Sequence, residues 1–326
     1  MGDVLFGLMA VIIGVVSSYG LFWLLNLLTR LLPRKIQAKT QFLSFLTPAA
    51  VLVILVLVMP LVQTIFWSFM DKRSKEFIGF ENYFELFADA DFLSILLNNL
   101  LWVLVVPAIT VTIGTIVATL GNQVGPTREK VFKSLIFMPM AISFVAASTI
   151  WAYMYVYSPP GRPVIGFFNA LINSIGIESQ PWLTMDAGRL NSFLLMAVVV
   201  WLQVGYSMVI ISAAIKAVPE ETIEAARIDG ANAWQVFARV ILPQVWGTIM
   251  AVFVTVLILV MKIFDIVLAM TGGNFNTSVL AFEWYKRFFV NSDTGASSAV
   301  VVVLCLIIAP LMWLQIRTVR QQESLR

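Results

Sequence analysis

The stretch of this chain with the most distinctive chemistry is a charged segment at residues 219–243. Glu220 and Glu221 suit the positive amino end of a helix, and Pro219 suits its first turn. Gly230 suits the left-handed residue that follows the last turn. The pattern predicts a charged helix at 220–229 that ends in a turn at Gly230.

A second short helix is expected after the Gly230 turn. Trp234, Phe237 and Ile241 recur at spacings of three and four residues, which predicts an apolar stripe that could pack on neighbouring helix ends. The alternative is an ordinary amphipathic loop in which Glu224 pairs with Arg227 about one turn later.

The residue types that most enzyme sites need are scarce. Histidine, the commonest general base and transition-metal ligand, does not occur in this chain, and the single cysteine, Cys305, lies in the last apolar run. The chain also has no G-x-x-x-x-G-K-[ST] phosphate loop. These features count against an enzyme, a metal site or an ATPase site in this chain.

The composition is that of an integral membrane protein. Hydrophobic residues make up 60% of the 326 residues and charged residues 12%, with a mean hydropathy of +0.91. A water-soluble globule does not carry that composition. The basic residues are spread over short loops instead of forming one patch, which favours membrane lipid over nucleic acid as a partner.

Seven charge-free stretches are each long enough for a membrane helix of about 20 residues. Helices are expected because unpaired backbone groups are too costly in lipid. The first stretch is expected to be a retained span, since Asp3 and the lack of Lys or Arg before Arg30 do not suit a secretory signal peptide. The predicted fold class is an all-α, polytopic helical bundle with spans at 4–29, 42–70, 92–127, 134–161, 190–215, 240–261 and 294–316.

The distribution of Lys and Arg predicts the orientation. With residues 216–245 inside the cell, the inner loops and tails contain thirteen of these residues and the outer segments seven. Cytoplasmic loops of membrane proteins are the more basic ones. The amino terminus is therefore expected outside and the carboxyl terminus inside.

The charged segment resembles the cytoplasmic coupling loop of bacterial ABC-importer permeases. The resemblance rests on the joint spacing of Glu224-Ala225-Ala226, Asp229-Gly230-Ala231 and Leu242-Pro243. It extends over most of the chain from about residue 42, and the similar segments point to the carbohydrate branch that takes up maltose, α-glucosides or glycerol phosphate. Those segments include Met138-Pro139, Pro181-Trp182-Leu183 and Met270-Thr271-Gly272-Gly273.

Two features depart from the family pattern. Gly247 stands where a second proline usually follows Leu-Pro, and many members have six spans. Residues 1–41 would then be an extra amino-terminal span with a basic linker, before a permease domain at 42–326 that contains the coupling loop at 216–245.

The resemblance implies a permease subunit, without an ATPase site, in the bacterial inner membrane. The implied partners are a homologous second permease, an ATP-binding cassette ATPase dimer that binds the ATP and Mg²⁺, and an extracytoplasmic solute-binding protein; no cofactor is bound by this chain. The residues implied to couple to the ATPase are Glu220, Glu224, Ala225, Ala226, Asp229, Gly230, Ala231, Leu242 and Pro243.

Five further residues are candidates for the solute pathway. Lys262 and Asp265 lie three residues apart on one predicted helix, where they form either a mutual ion pair or part of the pathway. Trp151, Trp201 and Tyr206 could stack on sugar rings, although aromatic residues in spans more often serve packing.

Two other classes of function remain open from the sequence. A secondary transporter would need coupling charges on several spans and usually a repeat. A membrane-embedded enzyme would need clustered acids, nucleophiles or metal ligands.

Overall fold

A computed structural model describes residues 2–30, 34–122 and 125–323, and about three quarters of these residues are helical. This confirms the predicted all-α class. The α-helices are α1 (Gly2–Arg30), α2 (Arg34–Val53), α3 (Met59–Trp67), α4 (Glu81–Ala88), α5 (Ala90–Gly121), α6 (Pro126–Phe137), α7 (Phe144–Met154), α8 (Phe167–Asn173), α9 (Leu190–Lys216), α10 (Glu220–Ile228), α11 (Ala233–Val236), α12 (Leu242–Met261), α13 (Asp265–Met270), α14 (Leu280–Tyr285) and α15 (Thr294–Glu323).

Short helical segments of other types join these helices. Three are 3₁₀ turns, at Met138–Ala141, Trp182–Thr184 and Ala187–Arg189, and three are π-helical, at Ile54–Val58, Phe237–Ile241 and Lys286–Val290. Two of the π segments lie just before a proline, Pro60 or Pro243. Because proline lacks the N–H that would bond to the carbonyl four residues earlier, the ladder before it is interrupted.

Contacts divide the chain into two units, Met1–Phe66 and Trp67–Arg326. In the first unit the rings of Phe22 and Phe45 stack with centroids 5.8 Å apart. The candidate span Phe45–Trp67 exposes its large apolar side chains, among them Leu57 and Val62, as expected of a helix that faces lipid.

The core of the second unit lies between α5, α9 and α12. Trp102 and Val106 of α5, Leu195 of α9 and Val260 of α12 are buried in one hydrophobic cluster. A smaller cluster joins α4, the start of α5, α14 and α15. The two clusters hold together the helices that carry the candidate site.

Helices α5 and α9 run parallel in close contact. Their starts are joined by a hydrogen bond from the Arg189 guanidinium to the Ser94 hydroxyl at 2.8 Å, and their ends by one from Ser212 to Asn122 at 2.7 Å. Midway, a Cβ added to Gly114 would lie 2.3 Å from Oγ of Ser207. Glycine is therefore required at 114 for the two backbones to approach.

Buried asparagines fix the loop at residues 271–279. The Asn98 amide donates to the carbonyl of Ser278 at 2.8 Å, the Asn191 amide donates to the carbonyl of Phe275 at 2.6 Å, and the Asn99 oxygen accepts from the backbone N–H of Leu280 at 2.7 Å. In this way α5 and α9 hold an irregular loop at their amino ends.

The expected count of seven spans is not confirmed. By length and composition, five helices among the described residues could cross a membrane, at Phe45–Trp67, Ala90–Gly121, Ala187–Lys216, Ala233–Met261 and Thr294–Trp313. The predicted span at 134–161 is instead a helix pair, Thr127–Ala141 and Phe144–Met154, bent by 100°, which gives a sixth span if the pair crosses as one.

A proline explains the bent helix pair. Pro139 lies in the 3₁₀ turn between α6 and α7 and interrupts the helical hydrogen bonds there. Helix α1 (Gly2–Arg30) includes the predicted first span at 4–29.

We expect Gly114→Val to destabilise the protein by about 1–3 kcal/mol, because the added side chain overpacks the contact between α5 and α9. The measurement is the melting temperature of the detergent-solubilised chain. Gly20→Val is the control, since nothing lies within 4 Å of a Cβ at Gly20. Equal melting temperatures for the two variants would contradict the close approach.

Candidate functional site

The helix α10 ends in a glycine-dependent cap. Gly230 has φ +84°, and its N–H donates to the carbonyl of Arg227 at 3.0 Å while the N–H of Ala231 donates to the carbonyl of Ala226 at 3.0 Å. This pair of bonds is the Schellman motif, which needs a left-handed residue. The predicted role of Gly230 in the turn is confirmed; the helix ends at Ile228, one residue earlier than predicted.

The next helix, α11, begins with a capping box that the sequence analysis missed. The Asn232 side chain accepts from the N–H of Gln235 at 2.9 Å, and the Gln235 side chain accepts from the N–H of Asn232 at 2.8 Å. The signal was present in the sequence, since Asn-x-x-Gln has the spacing of such a box. Both ends of the turn are therefore fixed by local hydrogen bonds.

The segment from Ala217 to Ile241, called here the α10–α11 loop, presents charged and apolar side chains to solvent. Glu220, Glu224 and Ala225 are exposed, Ile228 is 86% exposed and Trp234 is 71% exposed. Large apolar side chains this exposed mark interaction surfaces when they cluster with polar residues.

A shallow cavity of about 360 Å³ lies between α10 and the π segment that follows α11. Ala226, Asp229, Gly230 and Ala231, four of the predicted coupling residues, line it together with Arg239. No ion pair joins Glu224 to Arg227 within the described residues, so the alternative of a loop built on that pair is not supported.

The apolar stripe of the second helix is only partly packed. The rings of Trp234 and Phe237 lie 5.7 Å apart, and Ile241 and Leu242 pack against the main core cluster. Pro243 is exposed at the first turn of α12. The Leu-Pro pair therefore joins the exposed loop to the buried span α12.

A polar network ties the base of the α10–α11 loop to α5 and α6. The Lys133 ammonium donates to Glu129 at 2.5 Å, to Asn122 at 3.2 Å and to the Ser212 hydroxyl. Glu129 also pairs with Lys216 at 2.6 Å, three residues before Pro219. Since Glu129 and Lys133 are mostly buried, the network joins three helices at the point where the loop begins.

The aromatic pathway candidates Trp151 and Trp201 are in contact, with ring centroids 5.7 Å apart, and Trp151 also lies 5.5 Å from Tyr155 and 6.1 Å from Phe168. Trp201 lines a cavity of about 660 Å³ between α5 and α9 whose lining side chains are all apolar. Tyr206 packs on the core cluster. These surroundings resemble packing more than a sugar site, which needs hydrogen-bonding partners.

The prediction that Lys262 and Asp265 share one helix is wrong. Helix α12 ends at Met261, Lys262 caps it, and Asp265 begins α13. The mutual ion pair, one of the two alternatives for these residues, is not formed within the described residues. The reason is local: the backbone at Lys262 and Phe264 leaves helical geometry, so the two side chains no longer lie one turn apart.

No group of three or more Cys, Asp or Glu residues that could hold a metal ion occurs in the part of the chain that the structure describes.

Comparison with known proteins matches this chain to one family and to two bacterial permease proteins. Residues 110–320 match the family described as binding-protein-dependent transport system inner membrane component. The chain is 44% identical to the osmoprotective compounds uptake permease protein GgtC of Synechocystis sp., over 86% of this chain and 100% of the relative. It is 43% identical to the alpha-glucoside transport system permease protein AglF of Rhizobium meliloti, over 86% of this chain and 82% of the relative.

The same fold occurs in a solved structure. A chain of a bacterial ABC transporter involved in the import of the acidic polysaccharide alginate superposes with a TM-score of 0.74 and 19% identity. The match covers 87% of this chain and 98% of that one.

We expect Lys133→Met to lower stability by about 1–3 kcal/mol, because it removes the ammonium that bonds to Glu129, Asn122 and Ser212 together. Lys216→Met is the matched control and should cost less than about 1 kcal/mol, since Lys216 is 53% exposed. Thermal unfolding in one detergent compares the two. A larger loss for Lys216→Met would contradict the central position of Lys133.

Proposed function

Since the chain belongs to the family of binding-protein-dependent transport system inner membrane components, we propose that it carries a sugar or related polyol as one half of the translocation pathway of an ATP-driven importer. It is a multi-pass inner-membrane permease subunit and not itself an ATPase. Its partners in the importer are a second permease, a separate ATPase and an extracytoplasmic binding protein. ATP and Mg²⁺ are bound on the partner ATPase, and this chain contributes no ligand to them.

The observation that carries the coupling role is the exposed, rigidly capped α10–α11 loop. Glu224 and Ala225 face solvent on α10, while Asp229, Gly230 and Ala231 border the 360 Å³ cavity beside it. Glu220 lies in the first turn of α10, and Leu242 and Pro243 connect the loop to α12. A surface fixed by two caps and joined directly to two spans can pass on a displacement of a bound ATPase.

The sugar assignment is supported by the relatives. One is an alpha-glucoside permease and another takes up osmoprotective compounds, and each aligns over most of this chain. The pathway residues Trp151, Trp201, Tyr206, Lys262 and Asp265 remain predictions. Of these, Lys262 and Asp265 lie where the helical backbone is interrupted, the kind of place where transporters expose polar groups.

The proposed orientation has the amino terminus outside and the carboxyl terminus inside. The excess of basic residues on the α10–α11 side supports it, and so does the need for that loop to reach a cytoplasmic ATPase. Residues 1–41 are proposed as an additional amino-terminal span and linker, and residues 42–326 as the permease domain.

The family membership favours an ATP-driven importer over the ion-driven secondary transporter that the sequence left open. An ion-driven secondary transporter would need coupling charges distributed over several spans. The described spans provide no such set, and the family works with a separate ATPase.

We expect Gly230→Val to uncouple transport from ATP hydrolysis. A β-branched residue at φ +84° costs about 1–2 kcal/mol of backbone strain and would reshape the docking turn, although no atom lies within 4 Å to clash with it. Gly230→Asn is the matched control, because asparagine tolerates this conformation. The measurement is solute uptake and ATPase activity in vesicles that contain the assembled importer; unchanged uptake in the valine variant would count against the docking assignment.

We expect Glu224→Lys to lose the ATPase during co-purification with the partner permease and the ATPase, since the charge on an exposed docking face is reversed. Glu178→Lys, which reverses an equally exposed carboxylate in the segment before α9, should retain it. Loss of the ATPase from both variants would mean that the effect is not specific to the α10–α11 loop.

A further inference from the structure

A polar cavity of about 470 Å³ lies at the end of the bundle opposite to the α10–α11 loop. Its walls come from the start of α5, the loop after α13 and the π segment that follows α14. The 27-residue helix α9 separates the two ends by about 40 Å. With the loop in the cytoplasm, this cavity opens towards the outside.

The charged groups of the cavity fall into two sets. Arg287 is neutralised within the protein, because it bonds to Glu283 at 2.6 Å and lies 3.6 Å from Asp89. Asp91 and Lys286 also line the cavity, are exposed, and form no ion pair among the described residues. The Asp91 carboxylate can therefore accept hydrogen bonds in this cavity, and the Lys286 ammonium can donate them.

The backbone around the cavity is held in uncommon conformations. Gly272, Gly273, Phe275 and Asn276 all have positive φ, between 56° and 71°. For Phe275 this conformation is strained, and such strain persists only where the surroundings enforce it, often at ligand sites. The buried Asn98 and Asn191 enforce it here through bonds to this loop.

An aromatic wall and an unpaired hydroxyl complete the cavity. A Cβ on Gly273 would lie 2.3 Å from the ring of Phe282, so glycine is required for the ring to approach the loop. The hydroxyl oxygen of Ser278 is buried and has no hydrogen-bond partner within the described residues. Aromatic surface combined with unpaired polar groups is typical of sites for hydroxyl-rich ligands.

We propose that this cavity is an outer subsite for a neutral, polyhydroxylated solute, which it receives before the solute enters the bundle. The inference rests on the proposed function as a sugar permease and narrows its substrate class. The cavity has three carboxylates, Asp89, Asp91 and Glu283, against the cations Lys286 and Arg287. Its net negative charge disfavours acidic sugars, whereas hydroxyl groups can donate to Asp91 and accept from Lys286.

The test is protection of a cysteine from external labelling. Asn291→Cys is introduced at the cavity lining, in a Cys305→Ser background that removes the chain's single cysteine. The assembled importer in vesicles is treated with a membrane-impermeant maleimide, with maltose, sucrose or glucuronate present. A neutral sugar should slow labelling at least about threefold, and glucuronate should not. Glu85 is exposed on α4 and lies outside the cavity lining, so Glu85→Cys is the control. The maleimide should label it at the same rate with and without each sugar.

Uptake of the same sugars by the wild-type importer is measured in parallel vesicles. Absent uptake would reject the proposed sugar transport, whereas uptake without protection of the Asn291→Cys variant would reject the subsite. Equal protection by glucuronate would reject its preference for neutral solutes.

A second variant tests the role of the free carboxylate. Asp91→Asn should raise the KM for uptake about tenfold, the effect of losing one hydrogen bond to a charged group. Glu85→Gln should leave KM unchanged. An unchanged KM for Asp91→Asn would contradict the inference.

Discussion

The close, parallel contact of α5 and α9 is the constraint on which the rest of the second unit depends. Gly114 lets the backbones meet opposite Ser207, and apolar side chains of α12 complete the core. Because the contact is tight along its length, neither helix can slide without breaking polar contacts at its ends. The α10–α11 loop, which continues directly from α9, and the loop at 271–279, which both helices hold, are thereby placed at fixed positions.

The parts of the site that follow local rules could be predicted from sequence. Pro219 and the first-turn glutamates set the start of α10, and Gly230 set its end, because caps and turns depend on neighbouring residues alone. The capping box of α11 was equally predictable, because the spacing of Asn232 and Gln235 is a local signal.

What could not be predicted depends on contacts distant in sequence. Asn98 and Asn191 look like polar interruptions of apolar runs, and only the fold shows that they bond to a loop 84 or more residues later in the chain. The break between Lys262 and Asp265 could not be predicted either, because no proline or glycine marks it in the sequence. The 100° bend near Pro139 was signalled by the proline, but the close approach of Gly205 of α9 to the backbone of Ile136 and Phe137 was not.

The two ends of the α5–α9 pair are held by different chemistry, and the difference bears on how motion passes through the protein. At the end that carries the α10–α11 loop, the contacts centre on one lysine, Lys133, whose flexible ammonium can exchange partners as helices shift. At the opposite end the loop of residues 271–279 is held by buried amide bonds to backbone, whose loss would leave polar groups unpaired at a cost of about 1–3 kcal/mol each. A displacement of the α10–α11 loop would therefore be accommodated more easily within the Lys133 network than at the loop of residues 271–279.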